Sequence, residues 1–378
     1  MMKVASLVSY KIIPAISGGE KGIYYFLQYF GKYASITCYT VSENEATEKE
    51  NFITAPVLGS SKSKFRYINI FLFFKLRRLL IGSGIKTLII EHPYYGWLGF
   101  LLKKFAGIRL IVHSHNIENE RFRTMSKWWW KILYYYERFI HRAANLNFFI
   151  TEEDKEYAIR EFQLNPQRCI VITYGIENEN AVSFKEKSLA KELLCKELNL
   201  TTNTVLILFN GTLDYPPNRE GLDMILSEIN PRLKKLITLP YKIIVCGLRL
   251  PQEYNELKKY HSDNIIYKGF VEDIGFYFKA ADIFINPIIE GGGIKTKLVE
   301  ALAANTPAVS FFTGAYGIPQ SVTGNHLKIV DDRNHEKFAD AIAATALQKK
   351  DNIDKSFFVH FYWGNVAKKA VREIENLK

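Results

Sequence analysis

Residues 286–312 read NPIIEGGGIKTKLVEALAANTPAVSFF, a glycine run leading straight into a helical pattern, with apolar strands on either side. Consecutive glycines let backbone N–H groups approach an anion closely, and a helix N-terminus adds a favourable dipole. Lys295 and Lys297 supply point charges suited to phosphate oxygens. Glu300 would repel phosphate. One turn further in, its carboxylate suits the paired hydroxyls of a sugar, as in dinucleotide sites. Asn305 fits a left-handed helix end, and Pro307 prevents continuation. The stretch reads as a nucleoside-diphosphate and ribose site, although a glycine loop with surface lysines would look the same from these residues alone.

On both sides of this stretch, short apolar runs alternate with amphipathic segments. Strands are expected at 3–8, 35–41, 87–90, 109–113, 146–150 and 169–173, with helices over 21–33, 65–81, 94–106 and 126–143. Runs of four to six apolar residues bounded by turn residues fit buried parallel strands. Residues 176–203 are polar and read as a linker with one surface helix. A second series then follows: strands at 204–210, 241–246, 265–268, 282–286, 307–312 and 326–330, and helices at about 218–229, 294–304 and 334–348. This alternation predicts an α/β chain of two Rossmann-like doubly wound domains facing each other across a cleft. The expected division is 1–180, 181–355 and a C-terminal helix, 356–378, returning to the first domain.

The chain has 378 residues and a net charge of +11. Residues 62–142 hold sixteen Lys and Arg against four Asp and Glu, so this one segment carries the whole excess. Such a concentration suits an anionic partner, whether a phosphate-bearing ligand, nucleic acid or a membrane surface, or else a solvated face. The four cysteines are scattered and form no CxxC pair, which argues against a zinc site or disulfide framework and suits a reducing cytoplasm. No apolar run reaches the ~18 residues needed to span a bilayer.

The 287–309 stretch resembles the donor-binding motif of GT-B glycosyltransferases of family four, with Pro287, Gly291, Gly293, Lys297, Glu300, Ala301, Ala303, Pro307 and Val309 in register. Further stretches resemble the family in the same order: PAISGGEKG (14–22), HSHNIENERFR (113–123), FFITEEDKEYA (148–158), YGIEN (174–178), LFNGTLDYPPNREGLDMIL (208–226) and YKGFVEDIGFYFKAADIFINP (267–287). The resemblance implies a retaining, metal-independent transfer of a sugar from a UDP- or GDP-linked donor, with no separate cofactor. It implies that Glu300 holds the ribose, and that Gly18, Gly19, Gly211 and the loop Gly291, Gly292 and Gly293 lie by the diphosphate. Phe270 and Val271 would lie by the base, with Lys297 and Lys295 neutralising the leaving group. His115 would lie near the transferred sugar, and Glu91 and His92 near the acceptor. One departure is that Gly292 stands where the commoner pattern has a carboxylate, which leaves Glu290 as the candidate substitute.

Two other readings share these residues. A nucleotide-sugar 2-epimerase has the same fold, and a basic membrane- or nucleic-acid-binding protein would explain 62–142 but leave the donor motif unexplained. The transferase reading expects a glycan or lipid-linked acceptor and no nucleic acid. It places the protein in the cytoplasm, at the inner face of a membrane. SKWWWKILYYYERFIHR (126–142) and KSKFRYINIFLFFKLRR (62–78) mix aromatics with cations, and three consecutive tryptophans cannot all face inward on a helix.

Overall fold

Runs rich in Val, Ile, Leu and Phe become strands buried on both faces, as parallel pairing with helices on either side requires. The computed structural model describes residues 1–45, 48–349 and 351–377. In the first sheet these runs are β1 (Lys3–Leu7), β2 (Ser35–Thr40), β3 (Ile53–Pro56), β4 (Thr87–Glu91), β5 (Arg109–Ser114), β6 (Leu146–Phe149) and β7 (Cys169–Val171). The second holds β8 (Val205–Asn210), β9 (Tyr241–Cys246), β10 (Ile265–Gly269), β11 (Ile283–Asn286), β12 (Ala308–Phe311) and β13 (Leu327–Val330). All pairings are parallel, in the orders β3-β2-β1-β4-β5-β6-β7 and β10-β9-β8-β11-β12-β13. Each order reverses once, between β1 and β4 and between β8 and β11. At such a reversal the helices leave on opposite faces and open a crevice beyond the carboxyl ends of the strands.

The chain divides into two units, 1–177 with 361–378, and 178–360. The expected break at 356 falls inside the helix Lys355–Phe361. The change of unit comes at Phe361, the last residue of that helix, and Tyr362, with extended backbone, then leads into the helix Trp363–Glu375. That last helix packs on Gly18–Phe30 of its own unit. It is pinned by reciprocal backbone bonds, Ile176 N to Phe361 O (2.7 Å) and Trp363 N to Ile176 O (2.9 Å). A Cβ on Gly175 would lie 2.4 Å from Trp363 Cδ2, so only glycine admits the buried indole.

Other boundaries moved for identifiable reasons. The strand β3 is absent from the sequence reading because Ile53–Pro56 is short, ends in proline and lies at a sheet edge. The helix expected over 126–143 starts at Trp130, since Ser126 has φ 53° and ends the preceding helix Glu118–Thr124. The expected helix 65–81 is a short 3₁₀ turn, Lys64–Ile68, followed by Phe71–Gly82. The helix Phe184–Glu197 belongs to the second unit's packing rather than to a linker. Its Lys187 ammonium donates to the carbonyls of Lys279, Ala281 and Ala304, satisfying helix ends that would otherwise lack partners.

Candidate functional site

Most of the sequence-selected residues lie beyond the carboxyl ends of strands at or next to the order reversals, whereas Phe270 and Val271 follow the edge strand β10. In the second unit, β11 ends at Asn286 and its loop runs to Lys295, the N-cap of the helix Thr296–Ala303. Gly291 (φ 86°) and Gly293 (φ 71°) occupy the left-handed region, which glycine enters without the steric cost a side chain brings. Glu300 is half-buried on the second turn of the helix, and Asn305 (φ 58°) ends it in the left-handed conformation. Glu290, Gly291 and Gly292 are exposed.

The two lysines have different surroundings. Lys297 Nζ donates to Asn210 O (2.9 Å) at the end of β8 and to Asn218 Oδ1 (2.9 Å), and it lies 5.0 Å from the centroid of the Phe209 ring. No carboxylate is among these partners. Burial, with Lys295 nearby, pushes the Lys297 ammonium down to about 7, so an arriving anion would stabilise its charged form. Lys295, expected on the diphosphate, instead donates to the carbonyls of Gly291 (2.6 Å), Gly293 (3.1 Å) and Gly292 (3.4 Å). Its reach is short enough to fold back onto the loop that precedes it, where it holds the turn. Gly211 follows β8, and a Cβ there would lie 2.7 Å from the Asn218 amide, the group that orients Lys297. Phe270 is 62% exposed and lines, with Val271, Lys268, Asp273 and Phe276, an open depression of about 500 Å³.

In the first unit Glu91 ends β4 with no exposed side-chain surface. Ser6 Oγ donates to its Oε1 (3.1 Å), while Oε2 meets His113 Nδ1 (2.8 Å) and His115 Nε2 (2.7 Å). Burial alone would raise this carboxyl. The contacts with His113, and then His115, outweigh it and hold the group well below the usual carboxylate range. Glu91 therefore does not present a carboxylate to an acceptor, as the sequence suggested; it fixes the two rings. Burial, with His113 adjacent, pushes His115 down to about 3, so its ring is neutral at physiological pH. Glu91, His113 and His115 are the described residues that could hold a metal ion. Their O–N separations of 2.7 and 2.8 Å are hydrogen-bond lengths, shorter than the about 3.3 Å between two ligands of a tetrahedral ion at ordinary Zn–N and Zn–O distances.

His92 follows with φ 69° and ψ 156°, a region nearly reserved for glycine and costing on the order of 1–3 kcal/mol. Its backbone N–H donates to His113 O (2.9 Å), and its ring stacks on Tyr94 at 5.4 Å. The residue is 7% exposed, so it too is mostly withheld from an acceptor. Its Nε2 meets Tyr10 Oη at 3.0 Å, and its Nδ1 faces Glu118 Oε1 at 3.4 Å. Gly18 and Gly19 stand at the first two positions of the helix Gly18–Phe30, behind a capping box formed by Ser17 and Glu20. Asn218, Tyr10, His113 and Glu118 escaped the sequence reading because each is a single polar residue in a stretch singled out for other positions or for none.

The helix carrying Glu118 has a second buried carboxylate at its start. Glu137, from Trp130–Ala143, accepts the backbone N–H groups of Glu118 (2.9 Å) and Asn119 (2.8 Å) and the Asn119 amide (2.8 Å). Burial pushes Glu137 up to about 7 against the pull of those three donors.

Two family descriptions match in tandem: Glycosyltransferase Family 4 over residues 16–180 and Glycosyl transferases group 1 over 204–347. Among curated proteins, the chain is 24% identical over 273 residues to a chitobiosyldiphosphodolichol beta-mannosyltransferase of Debaryomyces hansenii, covering 65% of this chain and 57% of that one. It is 25% identical over 222 residues to an Escherichia coli UDP-Gal:alpha-D-GlcNAc-diphosphoundecaprenol alpha-1,3-galactosyltransferase, covering 57% and 54%. The chain thus spans somewhat over half the length of the curated relatives it matches. Anabaena HepE, solved in complex with UDP, has a TM-score of 0.72 at 15% identity, covering 99% of this chain and 100% of that one. The fold shared with that structure is GT-B.

The raised Glu137 carboxyl predicts a pH-dependent contribution to stability. The proton bound in the folded state stabilises it fully below the unfolded value near 4.5, and that contribution is lost as pH rises through about 7. Glu137→Gln should lower the urea midpoint overall, because an amide offers one acceptor to three donors, and the difference from wild type should shrink as pH rises from 5 to 8. A difference constant across that range would contradict the assignment.

Proposed function

This chain has the GT-B fold and resembles glycosyltransferases of family 4, and from that premise we propose that it moves a sugar from a nucleoside-diphosphate donor to an acceptor hydroxyl in glycan assembly. The observation that carries the reading is the glycine loop 291–293 leading into a helix whose first turns hold a half-buried lysine, with only neutral acceptors as partners, and a carboxylate one turn on. Departure of a diphosphate concentrates negative charge where Lys297 and backbone N–H groups would lie, and donors already in place act without reorganisation. Lys295 contributes by holding the loop. The reaction is taken as retaining and metal-independent, so turnover should survive EDTA and the product should keep the donor's anomeric configuration.

Both curated relatives are named for acceptors joined through a diphosphate to a lipid alcohol, and one is named for a UDP-sugar. A lipid-linked acceptor at a membrane surface agrees with the first unit's face. Leu72, Leu76 and Leu80 of Phe71–Gly82 are buried, while Phe71, Phe74, Lys75, Arg77 and Arg78 are exposed. Through Phe73–Phe105 and Phe100–Phe139 contacts this helix and Gly96–Ala106 continue to Trp130–Ala143, which exposes Lys131, Ile132, Tyr135 and Phe139. Trp128 is 83% exposed beside Lys127. Exposed aromatics among cations suit an interfacial anchor. Among the described residues no helix is long and apolar enough to cross a membrane. The four cysteines are free and buried, in keeping with a cytoplasmic, inner-face location.

Incubation with UDP-glucose, UDP-galactose and GDP-mannose should show slow release of free sugar from one of them, whereas an epimerase would return an altered nucleotide sugar. Glu300→Ala should weaken nucleotide binding by about 1.5–3 kcal/mol, the value of a hydrogen bond to a charged group. Unchanged affinity by calorimetry in the folded variant would remove the ribose role. Lys297→Ala should lower turnover more than affinity.

Vesicles containing phosphatidylglycerol should bind the protein at low salt more strongly than neutral ones, each well-placed cation adding about 1 kcal/mol. Replacing Lys127, Lys131, Arg77 and Arg78 together should abolish the difference. Equal binding to both vesicle types would sink the membrane assignment.

A further inference from the structure

The transferase reading leaves one polar constellation of the first unit without a role. Tyr10, His92 and Glu118 come from three connections, after β1, β4 and β5, and they meet in a line: Tyr10 Oη to His92 Nε2 at 3.0 Å, and His92 Nδ1 to Glu118 Oε1 at 3.4 Å. Glu118 is fully buried, and Arg121 Nη1 faces its other oxygen at 3.3 Å. Burial would raise this carboxyl, but His92 and Arg121 outweigh it and lower it. At 3.4 Å the His92 Nδ1–Glu118 Oε1 approach is that of an ion pair and not a formed hydrogen bond; a ring hydrogen on Nδ1 would face the carboxylate and leave Nε2 to accept from the phenol. Tyr10 is the half-buried end of the line. A Cβ on Gly19 would lie 3.9 Å from its oxygen, so the phenol stands beside the glycine-led start of Gly18–Phe30. The strained backbone of His92 and its stack on Tyr94 hold the ring between the two partners.

We propose that Tyr10 touches the acceptor hydroxyl and that His92 and Glu118 act through it as a proton relay. The inference rests on the transferase reading. As the acceptor oxygen bonds to the anomeric carbon, the bond from that carbon to the diphosphate breaks and its electron pair leaves with the phosphate. The acceptor proton passes to Tyr10 while Tyr10 passes its own to His92 Nε2. The imidazolium so formed is balanced by Glu118 and returns its proton to water after products leave. Tyr10 is the catalytic residue of the three, and His92 and Glu118 position and receive. The other titratable and charged groups facing the line are Glu20, Glu91, His115, Tyr94 and Arg121. A Ser-His-Asp triad follows the same ordering of roles.

The test uses the whole chain and whichever of UDP-glucose, UDP-galactose and GDP-mannose it hydrolyses fastest, with water standing for the acceptor hydroxyl. Tyr10→Phe should lower turnover by about 100-fold, the lower range for general acid–base catalysis, with UDP affinity unchanged by calorimetry. His92→Gln should cost as much, and the double variant no more than either single one, since the residues act as a unit. In 15N spectra of histidine-labelled protein, His92 should be the Nδ1–H tautomer with Nε2 bare. An Nε2–H tautomer overturns the relay whatever the kinetics. A wild type that hydrolyses one sugar, with Tyr10→Phe within threefold of it, sinks the relay alone. A wild type that binds no nucleotide and hydrolyses none sinks the transferase reading and the relay with it.

Discussion

A carboxylate without exposed surface must be met by donors, and Glu91 organises the first unit's site by that requirement. It draws Ser6 from β1 and both histidines from β5 and its exit, so three neighbouring carboxyl ends are tied at one point. His113 is further confined between Phe26 (4.8 Å) and Phe148 (5.9 Å). With these rings fixed, the connection from β4 has little freedom, and His92 takes a backbone conformation that a flexible loop would avoid. Removing one partner of such a buried group leaves the rest unsatisfied, which costs more than the bond's net worth.

The two units solve different electrostatic problems at the same topological position. The first gathers buried carboxylates and histidine rings. The second gathers a lysine, positive-φ glycines and a helix start, groups that meet negative charge. In each case the strand order reverses beside the site, so the helices diverge and leave the strand ends open. The division of chemical labour fits a transfer with an anionic leaving group on one partner and a hydroxyl proton on the other.

Much of the second sheet was legible because its strands are near-continuous apolar runs bounded by Gly, Asn or Pro, and all six appear where those runs lie. In the first sheet Ile53–Pro56 was lost because an edge strand needs neither length nor a pure apolar face. The glycine loop was legible as a loop, and Asn305 as a left-handed end. The partners of Lys295 were not, because a lysine four residues after a glycine reads the same whether it points to solvent or back to a carbonyl. Glu91 was legible as a polar residue at a strand end, but burial depends on what β1 and β5 bring beside it, and no local pattern carries that. Tyr10, His92 and Glu118 meet only because β1, β4 and β5 are adjacent, a contact of topology rather than of spacing.

The central claim is that residues 287–300 receive the nucleoside diphosphate. Hydrogen–deuterium exchange with and without saturating UDP tests it most directly, since the loop amides and the first turn of Thr296–Ala303 have few internal acceptors to protect them. The account predicts slower exchange in peptides covering 288–300 in the presence of UDP, with little change over 62–142. Protection confined to the basic segment, or none anywhere, would contradict it.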